Sequence, residues 1–583
     1  MIKERKSISK KLKSANKSKY TNKKIILILL GLLVLFHVVN NIIILHNDTV
    51  PISGDEAQHY ANSLISYNKL KDNFLSNLIV THVSYPPLFY YTTLPLYMIF
   101  GTSPDIAVMI NIAYLIILIG AAYGIGKELG NPISGLMSAF IVSMFITIFG
   151  YSRIYTLEIA LASLVCLSIY LLIKTKEFTN RKFSILLGIT LGLGMLTKWS
   201  FSIYVTGPIL YYLAHSFISQ KSINRKSKGM GTKLKNLIIV AVIALCFMTL
   251  WYPTNINHLN SRAKVYSGTY TSTEQFTENS NTTVKDIKTT PVLSAYTKIR
   301  MLLFYPKMMF NHQLGYLYFV LFIISLFYII ITSKKGWQIL LSWIIGSYLI
   351  LTAVAAFSFL RTTYFFLPAL PAAAIMIGLM ISGLKNKTLR NILIILIILF
   401  SLIQFASHSY SSNPIFSKAD PDNYNDGMQA GLLKSRFIQN EKNAWKAKEI
   451  SDAIFTSIEN YTNSNVNITL LVDFHDFSLG GFVMNYELYH KENLNKREVI
   501  LTINEPLGQC GLGACIYDYK IIESMLLASN IIITQNYTQP LEGPTNKTVA
   551  LMQQAVNQHA NLFKTNAKFK LPNENWIFVM QRK

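Results

Sequence analysis

The sequence predicts a polytopic α-helical membrane protein of about 11–13 transmembrane helices, followed by an extracytoplasmic α/β domain. Three observations carry this reading. Of the 583 residues, 51% are hydrophobic and only 14% are charged, against about 25% charged in soluble domains. Apolar runs of a length suited to a hydrocarbon core of about 30 Å recur down the chain. The net charge of +25 is spread very unevenly over the segments between them.

The apolar runs fall near 25–46, 105–126, 133–150, 156–173, 183–197, 200–218, 236–253, 314–332, 337–357, 363–383 and 389–407. The first is too long for the core of a signal peptide, and no small-residue cleavage pattern follows it. Residues 1–24 form a basic arm, read as cytoplasmic and disordered, with ten Lys/Arg and one acid, Glu4. If the spans alternate, the arm shares a side with Lys127 and the loops 174–182, 219–235, 333–337 and 384–390. That side then holds 26 basic residues against three acids, Glu4, Glu128 and Glu177. The other side holds 28 against 26. This is the positive-inside pattern, and it places the N-terminus in the cytoplasm. Nucleic-acid binding does not account for such basicity, because the cations are scattered over short loops rather than gathered on one face.

Residues 25–407 are therefore the membrane domain, with large outside loops at 47–104 and 254–313. By parity the apolar piece from Pro86 to Phe100 does not cross alone, so it lies along the outer surface or dips in and returns. Residues 410–583 form the outside soluble domain. A polar stretch at 428–460 has helical spacing, and short strands are expected at Ile468–Asp473, Glu498–Ile503, Asn530–Thr534 and Trp576–Met580. Helix-like pieces between several of them fit a parallel sheet. No Gly-rich phosphate-binding turn stands at a strand–helix junction. Cys166 and Cys246 fall in apolar spans, while Cys510 and Cys515 fall outside, where spacing alone leaves a disulfide open.

Five segments could carry chemistry. Gly54-Asp55-Glu56-Ala57 places two carboxylates just beyond the first span. A carboxylate there suits the removal of a proton from a hydroxyl whose reaction partner is lipid-borne, although an ordinary solvated acidic pair would look the same. Glu158, in Arg153-Ile-Tyr-Thr-Leu-Glu158, opens an apolar run with no other acid up to Leu172. It either faces water or binds a sugar hydroxyl, a cation or Arg153. Lys198 sits between two apolar runs and either snorkels to the head groups or binds phosphate. Arg361 and Tyr364 lie at a span edge, where they serve as interface anchors or, for Arg361, as a phosphate grip. Tyr85, Pro86 and Pro87 open the apolar surface piece, and the prolines stop a helix running backward. All these positions share one face of the membrane.

The same segments carry a family resemblance. Gly54-Asp55-Glu56-Ala57-Gln58-His59-Tyr60, Tyr85-Pro86-Pro87-Leu88-Phe89-Tyr90-Tyr91, Tyr155-Thr156-Leu157-Glu158, Gly194-Met195-Leu196-Thr197-Lys198 and Arg361-Thr362-Thr363-Tyr364-Phe365-Phe366-Leu367-Pro368 occur in that order. Together they resemble the GT-C fold glycosyltransferases of the dolichyl-phosphate-mannose–protein mannosyltransferase superfamily, which includes the lipid A aminoarabinose transferases. The resemblance spans about 50–385. It implies a polyprenyl-phosphate sugar donor, a hydroxyl acceptor on a glycan, protein or lipid, and inversion at the anomeric carbon. It implies Asp55 as general base, with Glu56 beside it and Glu158 as a second acid. It further implies Lys198, Arg361 and Tyr364 near the donor phosphate, and Tyr85, Pro86 and Pro87 as a substrate loop. A divalent cation is compatible with the acids but not required by them. One departure matters: Pro86 stands where the aminoarabinose transferases have a basic residue, so that phosphate contact does not transfer. Two other classes fit a multi-span chain. A transporter usually shows internal repeats and mid-membrane charges, which are not evident here. An oligosaccharyltransferase of the asparagine-linked class would carry a WWDYG-type motif, which is not seen.

Overall fold

The structure is a computed structural model, and it describes residues 2–48, 52, 54–72, 85–217, 230–257, 259–260, 295–332, 336–357, 363–410, 446–459, 461–472, 494, 496–504, 519–536, 545–571 and 575–583. For 2–23 and a few helix ends only the backbone is described. Arg361, Cys510 and Cys515 lie outside the described residues, as do residues 428–445 of the polar stretch and most of the loop 254–313.

Each expected apolar run is helical over most of its length. Helix α1 (Ile2–Asn47) contains the first. The basic arm, expected to be disordered, continues this helix. Its many lysines are good helix formers, and an anchored apolar helix supplies the nucleus that an isolated arm lacks. Helix α2 (Gly54–Asp72) replaces what the sequence showed only as a polar loop. Ala57, Tyr60, Ala61 and Leu64 recur at helical spacing and are buried. Asp55 and Glu56 in its first turn, with Lys69 and Lys71 in its last, complement the helix dipole. Helix α3 (Leu88–Phe100) has 13 residues, about 20 Å of rise, which is too short to cross a 30 Å core alone.

The body continues through α4 (Pro104–Val108), α5 (Ile110–Leu129), α6 (Pro132–Ser143), α7 (Ile146–Tyr151), α8 (Glu158–Lys174), α9 (Arg181–Met195), α10 (Phe201–Phe217) and α11 (Met230–Met248). The run expected at 133–150 is broken, because Phe145 is extended between α6 and α7. After α12 (Ala295–Met308) come α13 (Tyr316–Ile331), α14 (Trp337–Phe357), a 3₁₀ turn (Thr363–Ala369), α15 (Leu370–Gly383) and α16 (Lys387–Tyr410). Six segments among the described residues are long and apolar enough to cross a membrane: Lys24–Asn47, Pro104–Leu129, Met230–Met248, Trp337–Val354, Tyr364–Gly383 and Lys387–Tyr410.

The first and last of these expose most of their apolar side chains, as lipid-facing helices do. Helix α15 is the opposite: Leu370 to Ser382 are all buried. Small residues let its neighbours close on it. A Cβ at Gly378 would lie 2.6 Å from Ser138 Oγ, and Ser382 bonds Ser134 across the same contact. Small residues of this kind are the usual means of close helix packing in lipid.

The tail holds α17 (Ala447–Ile458), β1 (Asn465–Leu471), β2 (Ile500–Asn504), α18 (Tyr519–Leu527), β3 (Ile531–Asn536), α19 (Thr545–Gln558), β4 (Phe563–Lys570) and β5 (Trp576–Arg582). The sheet order is β2-β1-β3-β5-β4. β1 pairs in parallel with β2 and β3, but β5 is antiparallel to β3 and β4. The four expected strands are present, while the sheet is mixed rather than parallel and has a fifth strand, β4. Its sequence, FKTNAKFK, is too polar to read as a buried strand. It is an edge strand, and lysines on an edge discourage pairing with another chain. Apolar clusters pack on both faces, one around Ile450, Ile454 and Val466, the other around Leu471, Ile522 and Met552.

Candidate functional site

Three helix ends bring the charged residues together. Asp55 and Glu56 occupy the first turn of α2, and Glu158 the first turn of α8. Both are helix N-termini, where the macrodipole favours negative charge. Lys198 lies just past the C-terminus of α9, where a cation is favoured. Its backbone N–H donates to Gly194 O at 3.2 Å and closes that end. Glycine is needed at 194, since a Cβ would lie 2.2 Å from the Phe201 ring.

Glu158 and Lys198 form a buried ion pair, Nζ to Oε1 2.8 Å, with side chains 5% and 9% exposed. Of the partners considered for Glu158, the cation found is Lys198 and not Arg153. Arg153 turns away: its Nε donates to Asn41 Oδ1 at 3.2 Å, and its guanidinium lies over Phe149 and Phe405. Burial works against the Lys198 charge, but the Glu158 carboxylate outweighs it and holds the ammonium above the ordinary lysine range. Aromatic rings enclose the ammonium, with centroids of Tyr85 at 5.8 Å, Tyr364 at 5.6 Å and Phe365 at 5.9 Å.

Asp55 is exposed beside this pair. The Tyr364 hydroxyl donates to Asp55 Oδ2 at 3.0 Å across 309 residues of sequence. Tyr364 is held in turn by its neighbours. The Tyr204 hydroxyl donates to the Phe365 carbonyl, and the Tyr151 ring lies 5.8 Å from that of Tyr364. Asp55 Oδ1 makes no hydrogen bond among the described residues. Glu56 has a different environment. It is buried, and its Oε1 accepts the Tyr155 backbone N–H at 2.9 Å. It ties α2 to the 152–157 turn that leads into Glu158.

The proline turn packs against the lysine turn. Pro86 and Pro87 are buried, and Leu88 N–H donates to Leu196 O at 3.0 Å. Tyr85 stacks on Trp199 with ring centroids 5.1 Å apart. His59, one turn after Asp55, is buried, hydrogen-bonds Tyr90 OH at 2.9 Å through Nδ1 and meets Tyr85 edge-on. Asp55, Glu56, Glu158, Lys198, Tyr364, Tyr85, Pro86 and Pro87 thus occupy one neighbourhood. Sequence reasoning did not single out His59 or Tyr151 as site residues. The signal for His59 was its i,i+4 spacing from Asp55, which becomes visible once 54–72 is read as a helix. Tyr151 gave no signal, since it ends an apolar run. Among the described residues no group of three or more His, Cys, Asp or Glu side chains is arranged to hold a metal ion.

The fold and these elements define a multi-pass membrane protein of the GT-C type. Residues 84–252 match the family model described as dolichyl-phosphate-mannose-protein mannosyltransferase. Among solved structures the chain is similar to ArnT from Cupriavidus metallidurans bound to undecaprenyl phosphate. The identity is 11%, with a TM-score of 0.54, covering 94% of this chain and 97% of that one. The apo state of the same protein matches with a TM-score of 0.53 at 11% identity and the same coverage. It is also similar to the oligosaccharyltransferase AglB from Archaeoglobus fulgidus in complex with an inhibitory peptide and a dolichol-phosphate. There the identity is 12% and the TM-score 0.51, covering 95% of this chain and 74% of that one. No curated protein matches in sequence. The family resemblance read from the five motifs is borne out at the level of fold, and the family model matches the stretch that holds three of them.

Proposed function

We propose that this protein is a membrane glycosyltransferase that moves a sugar from a polyprenyl-phosphate donor to a hydroxyl acceptor on the outer membrane face, with inversion. One observation carries the reading: an exposed carboxylate, Asp55, has one oxygen fixed by Tyr364 and the other without a partner among the described residues, beside a buried, neutralised Glu158–Lys198 pair. A general base needs this combination of fixed orientation and open lone pairs. The family match over 84–252 and the likeness to two proteins whose structures hold a polyprenyl phosphate support the donor class.

In this mechanism the acceptor hydroxyl oxygen forms a bond to the anomeric carbon from the side opposite the lipid phosphate. The bond from that carbon to the phosphate oxygen breaks, and the polyprenyl phosphate leaves with the electron pair. Asp55 takes the acceptor proton. An ammonium has three N–H donors. Lys198 spends one on Glu158 and keeps the others for the donor phosphate, a task that the family resemblance also assigns to Arg361. Glu56 is a positioning group, and Tyr85 with the proline turn forms one wall. Acceptors on protein, lipid or glycan all suit this chemistry, and the sugar is left open.

The test uses a labelled polyprenyl-phosphate sugar and detergent-solubilised protein. Asp55→Asn should lower transfer about 10²–10⁴-fold, the usual worth of a general base, with unchanged membrane insertion. Full activity in that variant would remove Asp55 from the chemistry. A second reading, transfer of a whole oligosaccharide, draws on the likeness to the archaeal oligosaccharyltransferase. Turnover of a lipid pyrophosphate oligosaccharide in preference to a lipid monophosphate sugar would favour it.

A further inference from the structure

Arg153 stands in the turn between α7 and α8 but takes no part in the site around Asp55. The faces of its guanidinium are covered: the Phe149 and Phe405 ring centroids lie 5.2 and 5.0 Å from Cζ, which suits a cation. One edge is held. Nε donates to Asn41 Oδ1 at 3.2 Å, and Asn41 is itself fixed by its donation to Ser152 Oγ at 3.0 Å. The other edge is unused. Nη2 is enclosed without a hydrogen-bond partner. Among the described residues Nη1 has no partner either, and no carboxylate pairs with the guanidinium. His37, one turn before Asn41, meets the same Phe405 ring edge-on at 5.8 Å, and neither of its ring nitrogens has a partner. None of these neighbours is acidic. A largely buried cation without a counter-ion is costly, and aromatic faces cannot accept from the N–H groups at the guanidinium edge in place of oxygen. Arg153 is nevertheless partly exposed, so an anion can reach it from outside the protein.

The flanking helices identify the source of that anion. Helices α1 and α16 turn most of their apolar side chains outward. Ile42, next to Asn41, is 46% exposed, and Ile403, two residues before Phe405, is 52% exposed. Asn41 and Phe405 lie within two turns of the ends of their helices. The Tyr410 hydroxyl joins those ends by donating to Asn40. Arg153 is thus flanked by two lipid-facing helices near their ends, and basic sites between spanning helices take lipid head groups. A soluble anion would have to leave water to come there. A phospholipid brings its phosphate with its chains already against α1 and α16. The polyprenyl-phosphate donor is the poorer fit, because Arg153 points to Asn41 and away from the Glu158–Lys198 pair. We propose that Arg153 binds the phosphate of an anionic phospholipid in the leaflet level with the Asp55 site. Its two Nη groups grip two phosphate oxygens. This site is separate from the glycosyl-transfer reading and does not rest on it.

The test is native mass spectrometry of the full chain released from detergent micelles doped with phosphatidylglycerol or with phosphatidylcholine. The unmodified protein should retain one phosphatidylglycerol more firmly than any other lipid. Arg153→Gln should weaken that retention about 10-fold or more, as the loss of charge-assisted hydrogen bonds requires. Lys182→Gln, which removes an exposed cation at the end of α9 remote from Lys198, should leave it unchanged. Arg153→Lys keeps the charge but not the two-pronged edge. It should fall between the two, and it carries the test if the Gln variant does not fold. Equal retention by the unmodified protein and Arg153→Lys and, where it folds, Arg153→Gln would overturn the proposal and leave Arg153 an internal brace between aromatic rings. Phosphatidylcholine held as firmly as phosphatidylglycerol would overturn it as well. Two competitors separate the possible sources of phosphate. Displacement of the retained lipid by an equal concentration of inorganic phosphate, or of a short-chain polyprenyl phosphate, would overturn the assignment in favour of a soluble anion or of the donor. Asp55→Asn should retain the lipid whatever its activity, so this inference and the glycosyl-transfer reading fail independently.

Discussion

Glu158 and Lys198 stand or fall together. Each is buried, and among the described residues each is the other's only opposite charge at hydrogen-bond distance. Removing one partner strands the other, which typically costs about 3–5 kcal/mol. Glu158→Gln and Lys198→Met should each lower the melting temperature in detergent markedly, while the double variant should recover much of the loss. Strictly additive losses would show that the pair is not a unit. The pairing also sets a pH dependence. The lysine titrates above its ordinary range, so its contribution is complete below that range and fades only as pH rises through the raised value. Near neutral pH the pair's contribution should therefore be fully present and should not vary with pH through the titration of this lysine. The sequence showed both residues as candidates, but not the pairing. Spacing ranks Arg153, five residues away, above Lys198, 40 residues away, and only the fold brings the second one near.

At the scale of elements, the contact that matters most is the one between α2 and the turn before α8. Glu56 makes it by accepting the Tyr155 backbone N–H, a bond that needs an acceptor oxygen rather than a charge. Glu56→Gln keeps that oxygen and should retain activity within a few-fold. Glu56→Ala leaves a buried N–H unpaired at a cost of about 1–3 kcal/mol, and should lower kcat more than it raises KM because Asp55 shifts against Glu158. Equal loss in both variants, measured by steady-state transfer, would instead make Glu56 a proton-handling group. A parallel expectation concerns Gly194. Its Ala variant would press on Phe201 and displace the Lys198 turn, costing about 1–3 kcal/mol by overpacking. A melting temperature equal to that of the unmodified protein would show that the turn gives way freely. Elements were legible where apolar length or period marks them, as in the spans and in β1, β2, β3 and β5. They were not legible where polar residues form regular structure, as in α2 and β4. In both, tertiary partners decide the conformation.

At the scale of the whole molecule, the charge asymmetry and the location of the site must agree. The loops that carry 26 of the basic residues alternate with segments that carry Asp55, Glu158 and Lys198. If the basic loops face the cytoplasm, as insertion favours, the carboxylates and the C-terminal sheet lie on the outer face. A polyprenyl-phosphate donor must then be presented in the outer leaflet. An epitope tag after Lys583 should be reached by antibody on intact cells or spheroplasts. A tag inserted in the loop 219–235 should be reached only after permeabilisation. The reverse result would put Asp55 in the cytoplasm and require the donor in the inner leaflet, while leaving the geometry of the site itself intact. Adding lysines to the outer segment between α11 and α13 offers a second check. Each is expected to oppose export of that segment, so transfer activity should fall together with outside accessibility of the C-terminal tag. Activity retained in a population whose tag has become inaccessible would separate catalysis from orientation.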